Sequence, residues 1–264
     1  MLHAYFPDHA YPKHTHDTWT LLVVDSGTVC FDLERSQHAT ERSRVTLLPP
    51  HVAHDGRTVT PDGFRKRVLY LDGATFEAAR IGRSVDRPTW DDPVMHQQTH
   101  LLHQALESAG DAFEAEGRLA LVIERLGRHL ARLPVPTNYN SPGLARRLQD
   151  LLDAHVVDGI TLQQASTELE AHPAHLVRAF RRTVGIPPHQ YLTGRRLDLA
   201  RRMLLRGDKP ARVAADVGFY DQAHLTRHFR RLLGVTPAAF ASSAQRRQSP
   251  ALRVGLLGGE RSEG

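Results

Sequence analysis

The spacing of apolar and polar positions changes character twice along the chain. WTLLVV at 19–24 is an apolar run rich in β-formers, DSGT supplies a turn, and VCFDL at 29–33 sets Val29, Phe31 and Leu33 against Cys30 and Asp32. Alternation with a period of two marks a strand with one buried face, and two such runs about a turn predict a β-hairpin. SRVTLL at 43–48 stops at Pro49 and Pro50, and FRKRVLYLD at 64–72 alternates again, with Phe64, Val68 and Tyr70 on one face. Short strands separated by turn signals predict an all-β sandwich or barrel over the first ~75 residues.

From about Val94 to Leu133 the period becomes helical. Leu101, Leu102, Ala105 and Leu106, then Leu119, Val122, Ile123, Leu126 and Leu130, recur at three-and-four spacing. Two helices joined near Ser108 to Asp111 are expected, their stripes covering the β-domain or pairing with a second copy of the chain. LPVPTNYNSPG at 133–143 carries three prolines and no periodic apolar face, which reads as a linker. Helical periodicity then runs to about Ala241. The chain therefore divides into a β-domain at 1–90, a helical, dimerising segment at 91–133, a linker at 134–142, an all-helical domain at 143–245, and a Gly-, Ser- and Arg-rich tail at 246–264 expected to be disordered. The class is α+β.

The helical domain repeats itself. AHLVRAFRRTVGIPP at 174–188 matches AHLTRHFRRLLGVTP at 223–237, with Ala, His, Leu, Arg, Phe, Arg, Arg, Gly and Pro in register. Each copy predicts a short helix, a turn and a second helix. Thr161 and Gln164 have capping-box spacing for the first helix, and Pro210 suits the first position of its counterpart. The second helices begin at Pro173 and after Asp221, and end at Gly185 and Gly234, each followed within three residues by proline. At 100° per residue, Leu225, Phe229, Leu232 and Leu233 fall on one arc, which must face the core. The opposite side centres on Ala223 and Arg227, flanked by His224, Arg230 and Arg231, with Gln222 and Thr226 nearer the edge. In copy one the same projection buries Leu176 and Phe180 and presents Ala174 and Arg178, flanked by His175, Val177, Arg181 and Arg182.

Charge sharpens that reading. Residues 1–141 carry fifteen basic and eighteen acidic side chains, whereas residues 142–247 carry seventeen and nine. The positive charge sits where the repeat sits, which points to a polyanion such as nucleic acid or, more blandly, to a solvated arginine-rich surface. A basic outward face kept twice, with a small alanine at its centre, suits two helices entering a DNA groove. Arginine reaches guanine O6 and N7 with two hydrogen bonds, and the paired arginines one turn later (Arg181 and Arg182, Arg230 and Arg231) would meet phosphates. Two such helices about 34 Å apart would occupy successive turns of the major groove. The intervening HQYLTGRRLDLARRMLLRG, with Leu192, Leu199, Ala200, Met203 and Leu204 as its buried stripe, is long enough to set that spacing. Arg195 and Arg202 either pair with Asp198 along the helix or contact phosphate. A solenoid needs three or more units, and only two are present.

Residues 159–241 resemble the DNA-binding domain of the AraC/XylS family of bacterial transcription regulators, through GIPPHQYL, RRLDLARRMLL and VAADVGFYDQAHLTRHFRRLLGVTPAAF. The match covers about a third of the chain and is highly specific. The resemblance implies two helix-turn-helix units joined by a long helix, reading double-stranded promoter or operator DNA. It implies base contacts by Ala174, Val177 and Arg178 in the first unit and by Gln222, Ala223, His224, Thr226 and Arg227 in the second. It further implies a homodimer, contact with RNA polymerase, and activation as the family habit. His172 stands where the family usually has Ser or Thr, so the first recognition helix is expected to lose about 1 kcal/mol of capping.

The β-domain carries His14 and His16 in PKHTHDTW and His51 and His54 in LLPPHVAHDG. Together with Gly27 this resembles the two motifs of cupins, which often form the sensor domain of the same family. Thr20 stands where metal-binding cupins carry Glu, and His51 where the second motif has glycine. His14, His16 and His54 suit three imidazole ligands, or a small-molecule effector pocket shared with Trp19, or a structural role; we expect the effector pocket and no bound cofactor. Arg65 or Arg67 either lines the barrel and favours an anionic ligand or sits on a solvated face. Cys30 is the sole cysteine, the start MLHAYFPDHA has no leader-like pattern, and no run approaches 18 apolar residues. A cytoplasmic protein that meets no membrane is expected. No nucleophile-and-base set or phosphate-cradling glycine loop is found, so the chain is not expected to be an enzyme. The expected function is a sequence-specific regulator responding to a small effector, with a metal-dependent cupin enzyme fused to a DNA-binding domain, or an architectural DNA-coating protein, as alternatives.

Overall fold

The computed structural model describes residues 1–7, 10–42, 44–133 and 141–248, the last six by backbone alone. The predicted linker, apart from Ser141 and Pro142, and all but the first three residues of the predicted tail lie outside the described residues. The described chain forms two compact units, Met1–Ser108 with residues 114–133, and Ala109–Phe113 with residues 141–248. Antiparallel sheets come first and helices after, as the α+β reading requires.

The strands of the first unit are β1 (Leu2–Phe6), β2 (Ala10–His14), β3 (Trp19–Ser26), β4 (Thr28–Leu33), β5 (Ser36–Glu41), β6 (Arg44–Leu48), β7 (His54–Thr58), β8 (Phe64–Leu71) and β9 (Thr89–Asp91). One sheet has the order β1-β8-β3-β6-β9 and the other β2-β7-β4-β5. Between them lie Val24, Phe64 and Phe6 against Val29 and Tyr11, and Leu48 against Phe31 and Leu33. The outer face of the larger sheet is covered as well. Register sets Leu21 beside Leu47 and Leu69, and these join Trp19 and Val23 in one core with Met95, Leu102 and Ala105 of α2 (Pro93–Leu106) and Val122, Leu126 and Leu130 of α3 (Ala112–Ala131), beyond the short α1 (Ile81–Asp86). The helical stripes thus cover the β-domain. Burial on both faces is why WTLLVV reads as a continuous apolar run while β4 alternates strictly.

The predicted hairpin of 19–24 with 29–33 is not formed. β3 pairs with β6 and β8, and β4 with β5 and β7. The chain crosses from one sheet to the other at Gly27, whose φ of 80° lies in the left-handed region. A Cβ there would meet the Gly63 carbonyl oxygen and Phe64 of the opposing segment, so glycine is required twice over.

In the second unit, α4 (Pro142–Ala154) precedes α5 (Leu162–Glu168) and α6 (Pro173–Val184); α7 (Pro188–Leu205) connects them to α8 (Pro210–Asp216), α9 (Gln222–Leu233) and α10 (Pro237–Gln248). The caps follow the sequence. The Thr161 hydroxyl accepts from the Gln164 amide at 3.1 Å and Gln164 Oε1 from the Thr161 amide at 2.8 Å. Asp221 accepts from the His224 amide at 2.6 Å. Gly185 and Gly234 close α6 and α9 in the left-handed conformation, and the two 12-residue helices are offset by the 49 positions of the repeat. Leu197, Ala200, Leu204, Val213, Ala214, Val217, Phe219, Leu225 and Phe229 form the core of the second copy. Leu197 joins this stripe although the periodicity had not singled it out. Leu232 is 63% exposed despite its place on the apolar arc, because the chain turns away at Gly234 one turn beyond the core.

Candidate nucleic-acid interface and histidine cluster

On α9, Gln222, Ala223, Arg227, Arg230 and Arg231 are exposed and Thr226 half-buried, along one side of a helix whose other side holds Leu225 and Phe229 in the core. On α6, Arg181 and Arg182 are exposed and Arg178 half-buried. The twofold basic face is therefore present on both copies, but three of its members are not at the surface. Ala174 and Val177 are buried: α6 packs along α4, and its first turn is held where His175 Nε2 lies 3.3 Å from the Ser141 hydroxyl. His224 is buried too. Its ring packs edge-on against Phe219 at 5.1 Å, its Nδ1 accepts from the Tyr220 amide at 3.3 Å, and its Nε2 donates to Asp111 at 3.1 Å. A helical projection ranks sides of a helix but does not know which neighbour closes over them.

His172 is itself the cap of α6, its Nδ1 accepting from the Ala174 amide at 3.3 Å. Arg195 does not pair with Asp198. It pairs with Asp153 at 2.8 Å, an acid that also accepts from the Tyr191 hydroxyl, while Asp198 meets Arg201 at 3.5 Å.

Asp111 was invisible to sequence reasoning. It accepts from Arg227 at 2.8 Å and from His224 and His228 at 3.1 Å each. Burial works to raise its carboxyl pKa, but the hydrogen bonds from both histidines and the charges of His228 and Arg227 outweigh that and hold it well below the usual carboxylate range. A lone aspartate more than 100 positions from its partners carries no sequence signal.

In the first unit, His14 at the end of β2, His16 in the following turn and His54 at the start of β7 come together. Their ring centroids stand 4.6 Å apart for His14–His54 and His16–His54 and 5.7 Å for His14–His16. His54 is buried, His16 half-buried and His14 exposed. The His51 amide donates to the His16 carbonyl at 2.8 Å from a left-handed backbone, φ 63°, which explains why glycine suits that position. Burial lowers the pKa of both His16 and His54. Thr20 and Tyr70 also face this group, the tyrosine ring 6.1 Å from that of His16. Trp19 does not belong to it. It points to the opposite face of β3, fully buried against Phe76, its indole N–H donating to the Gly73 carbonyl at 3.1 Å. Arg67 is likewise turned away, buried and paired with Asp25 at 3.1 Å, and Arg65 lies over the exposed Tyr5 ring. Sequence reasoning passed over Lys66, whose ammonium stands 4.1 Å from the Tyr11 ring and within 5.6 Å of Phe6 and Phe64, with no acidic partner among the described residues. Burial lowers its pKa to about 8.

Residues 1–123 match the family model for the AraC-like ligand binding domain, and residues 165–243 match that for a helix-turn-helix domain. The chain belongs to the AraC family of transcriptional regulators. This AraC-family protein is 25% identical over 231 residues to the HTH-type transcriptional regulator YbfI of Bacillus subtilis (strain 168), covering 81% of this chain and 80% of that one. It is 23% identical to the HTH-type transcriptional activator RhaS of Klebsiella pneumoniae (strain 342), covering 81% and 82%. Among solved structures it is similar to the C-terminal domain of AraT, a response regulator from Geobacillus stearothermophilus, at 24% identity and a TM-score of 0.36, over 38% of this chain and 84% of that one. As an AraC-family regulator it has an N-terminal ligand-binding domain and a helix-turn-helix DNA-binding domain. Among the described residues no helix is long and apolar enough to cross a membrane.

Proposed function

We propose that α6 and α9 read operator DNA in adjacent segments of the major groove, and that the cluster of His14, His16 and His54 contacts a small effector. The observation that carries the reading is the duplicated basic face: two helices of equal length, each closed by a left-handed glycine, buried by its Leu and Phe positions and bearing exposed arginines. Arg178, Gln222, Ala223, Thr226 and Arg227 are the residues proposed to read bases, and Arg181, Arg182, Arg230 and Arg231 to hold phosphates. Ala174 and Val177 then permit close approach of the backbone rather than contact bases, and His224 shapes the start of α9.

In this reading the protein acts in the cytoplasm as a homodimer, and its bound form engages RNA polymerase as an activator; the activator RhaS is a relative that supports this direction. Fluorescence anisotropy with a selected duplex tests the DNA reading. Arg178→Ala and Arg227→Ala should each cost about 1 to 3 kcal/mol and relax preference at one base pair. Equal affinity of wild type and Arg227→Ala for that duplex would refute it, and equal affinity for random and selected duplexes would favour an architectural role.

A further inference from the structure

The hydrogen bonds behind the three histidines fix more than their orientation. His14 Nδ1 lies 2.7 Å from the Pro12 carbonyl oxygen and His54 Nδ1 2.9 Å from that of Val52. A carbonyl oxygen only accepts, so both Nδ1 atoms carry the proton and both Nε2 atoms keep a lone pair. His16 Nδ1 makes the longer contact of the same kind, 3.4 Å to the Thr18 carbonyl. One nitrogen from each of the three rings lies within 4.8 Å of the others. Backbone carbonyls behind imidazoles that converge on one point are the arrangement by which proteins fix metal-ligating histidines.

A second cluster with similar spacing shows what a different role looks like. His224, His228 and Asp111 also lie within 4.8 Å. There, however, His224 Nδ1 accepts from a backbone amide, so its Nε2 bears the proton and gives it to Asp111. That cluster is a closed hydrogen-bonded set. At His14, His16 and His54 no carboxylate takes the Nε2 lone pairs among the described residues.

We propose that His14, His16 and His54 bind one divalent transition ion of the zinc class, with an open coordination position that takes an anionic donor. Neutral nitrogen ligands favour zinc, copper, nickel and cobalt over magnesium or calcium. Nitrogens about 2.1 Å from a tetrahedral ion stand about 3.4 Å apart, so loading draws the rings inward by roughly an ångström. His14, exposed on the last residue of β2, is the ring freest to move. Three neutral imidazoles leave both positive charges of the ion uncompensated. The open position therefore favours an anion such as a carboxylate, and Lys66, which has no acidic partner among the described residues, adds positive charge over the Tyr11 ring, itself 6.4 Å from that of His14. Only the naming of that anion as part of the effector rests on the proposed function; the metal site itself does not.

The test uses the full chain, stripped with a chelator and titrated with Zn2+ by calorimetry and with Co2+ by visible absorption. One ion per chain is expected, with the absorption of four-coordinate cobalt, and azide added to the cobalt form should shift that spectrum by occupying the open position. His14→Ala and His16→Ala should each lower affinity by at least about 100-fold. Because His14 is exposed, His14→Ala should leave the melting temperature of the metal-free chain unchanged, which separates ligation from folding. His51→Asn, beside the cluster but outside it, should bind as wild type does. A wild-type chain that takes up no stoichiometric zinc or cobalt, or a His14→Ala chain that binds as tightly as wild type, overturns the site. A cobalt spectrum indifferent to azide overturns the open position. None of these readouts involves DNA, so their failure leaves the operator-reading proposal standing, and the reverse holds.

Discussion

Arg227 holds a carboxylate in this structure and a base in the proposed complex. It pairs with Asp111 at 2.8 Å, and reaching a base edge means leaving that carboxylate. The arginine side chain is about half exposed, so the pair is worth no more than about 1 kcal/mol. Asp111→Asn, which keeps the shape and removes the charge, should tighten binding to operator DNA by about two- to five-fold; anisotropy showing weaker binding would contradict it. His54 and His16 allow a second prediction. Their pKa values in the folded, metal-free protein are lowered, His54 by burial first and then by the charges of His16 and His14 against the opposing pull of Asp55 and the Val52 carbonyl. His16 follows the same order, with Asp17 and the Thr18 carbonyl opposing. The unfolded chain then binds more protons than the folded one just below the ordinary imidazole value, so stability rises with pH through that window. The contribution is complete above about pH 6.5 and is lost as the pH falls through the folded-state values. Thermal melts of the chelated protein should show a falling transition for the first unit below about pH 6, flattened in His54→Asn.

Caps and turns were the parts of the elements most legible in the sequence, since each is decided by a few neighbouring residues. Thr161 with Gln164, Asp221, Gly185 and Gly234 all do what their types predict. Thr161→Ala should cost about 1 kcal/mol in a denaturant melt of the second unit, by releasing the Gln164 amide. What failed depends on distant partners. The apolar run WTLLVV and the alternation in VCFDL mark both strands correctly but not their neighbours, and the one-residue connection at Gly27 turns an apparent hairpin into a crossing between sheets. Gly27→Ala should therefore destabilise the first unit by about 2 kcal/mol or more, through left-handed strain and collision with Gly63. Trp19 is expected beside the histidines because it is near them in sequence. Adjacent residues on a strand point to opposite faces, and His16 meets Thr20 rather than Trp19.

For the molecule as a whole, the division of charge is the feature that sequence conveys best, because net charge needs no knowledge of packing. It located the DNA-binding half, and the repeat located the two helices within it. It could not foresee that Ala174, Val177 and His224 are covered, or that Asp111 lies against the basic face, since these follow from contacts between segments far apart in the chain. The role proposed for the arginines at the ends of α6 and α9 is electrostatic and blind to sequence. Arg231→Ala should weaken binding to all duplexes alike and reduce the slope of log affinity against log salt by about one. The central claim is that α6 and α9 each read their own turn of the groove. Selection of bound duplexes from a random pool, run in parallel with wild type, Arg178→Ala and Arg227→Ala, tests it most directly. The account predicts two preferred segments about 10 base pairs apart, with each variant losing preference in a different one. A single preferred segment, or two variants that relax the same base pair, would contradict it.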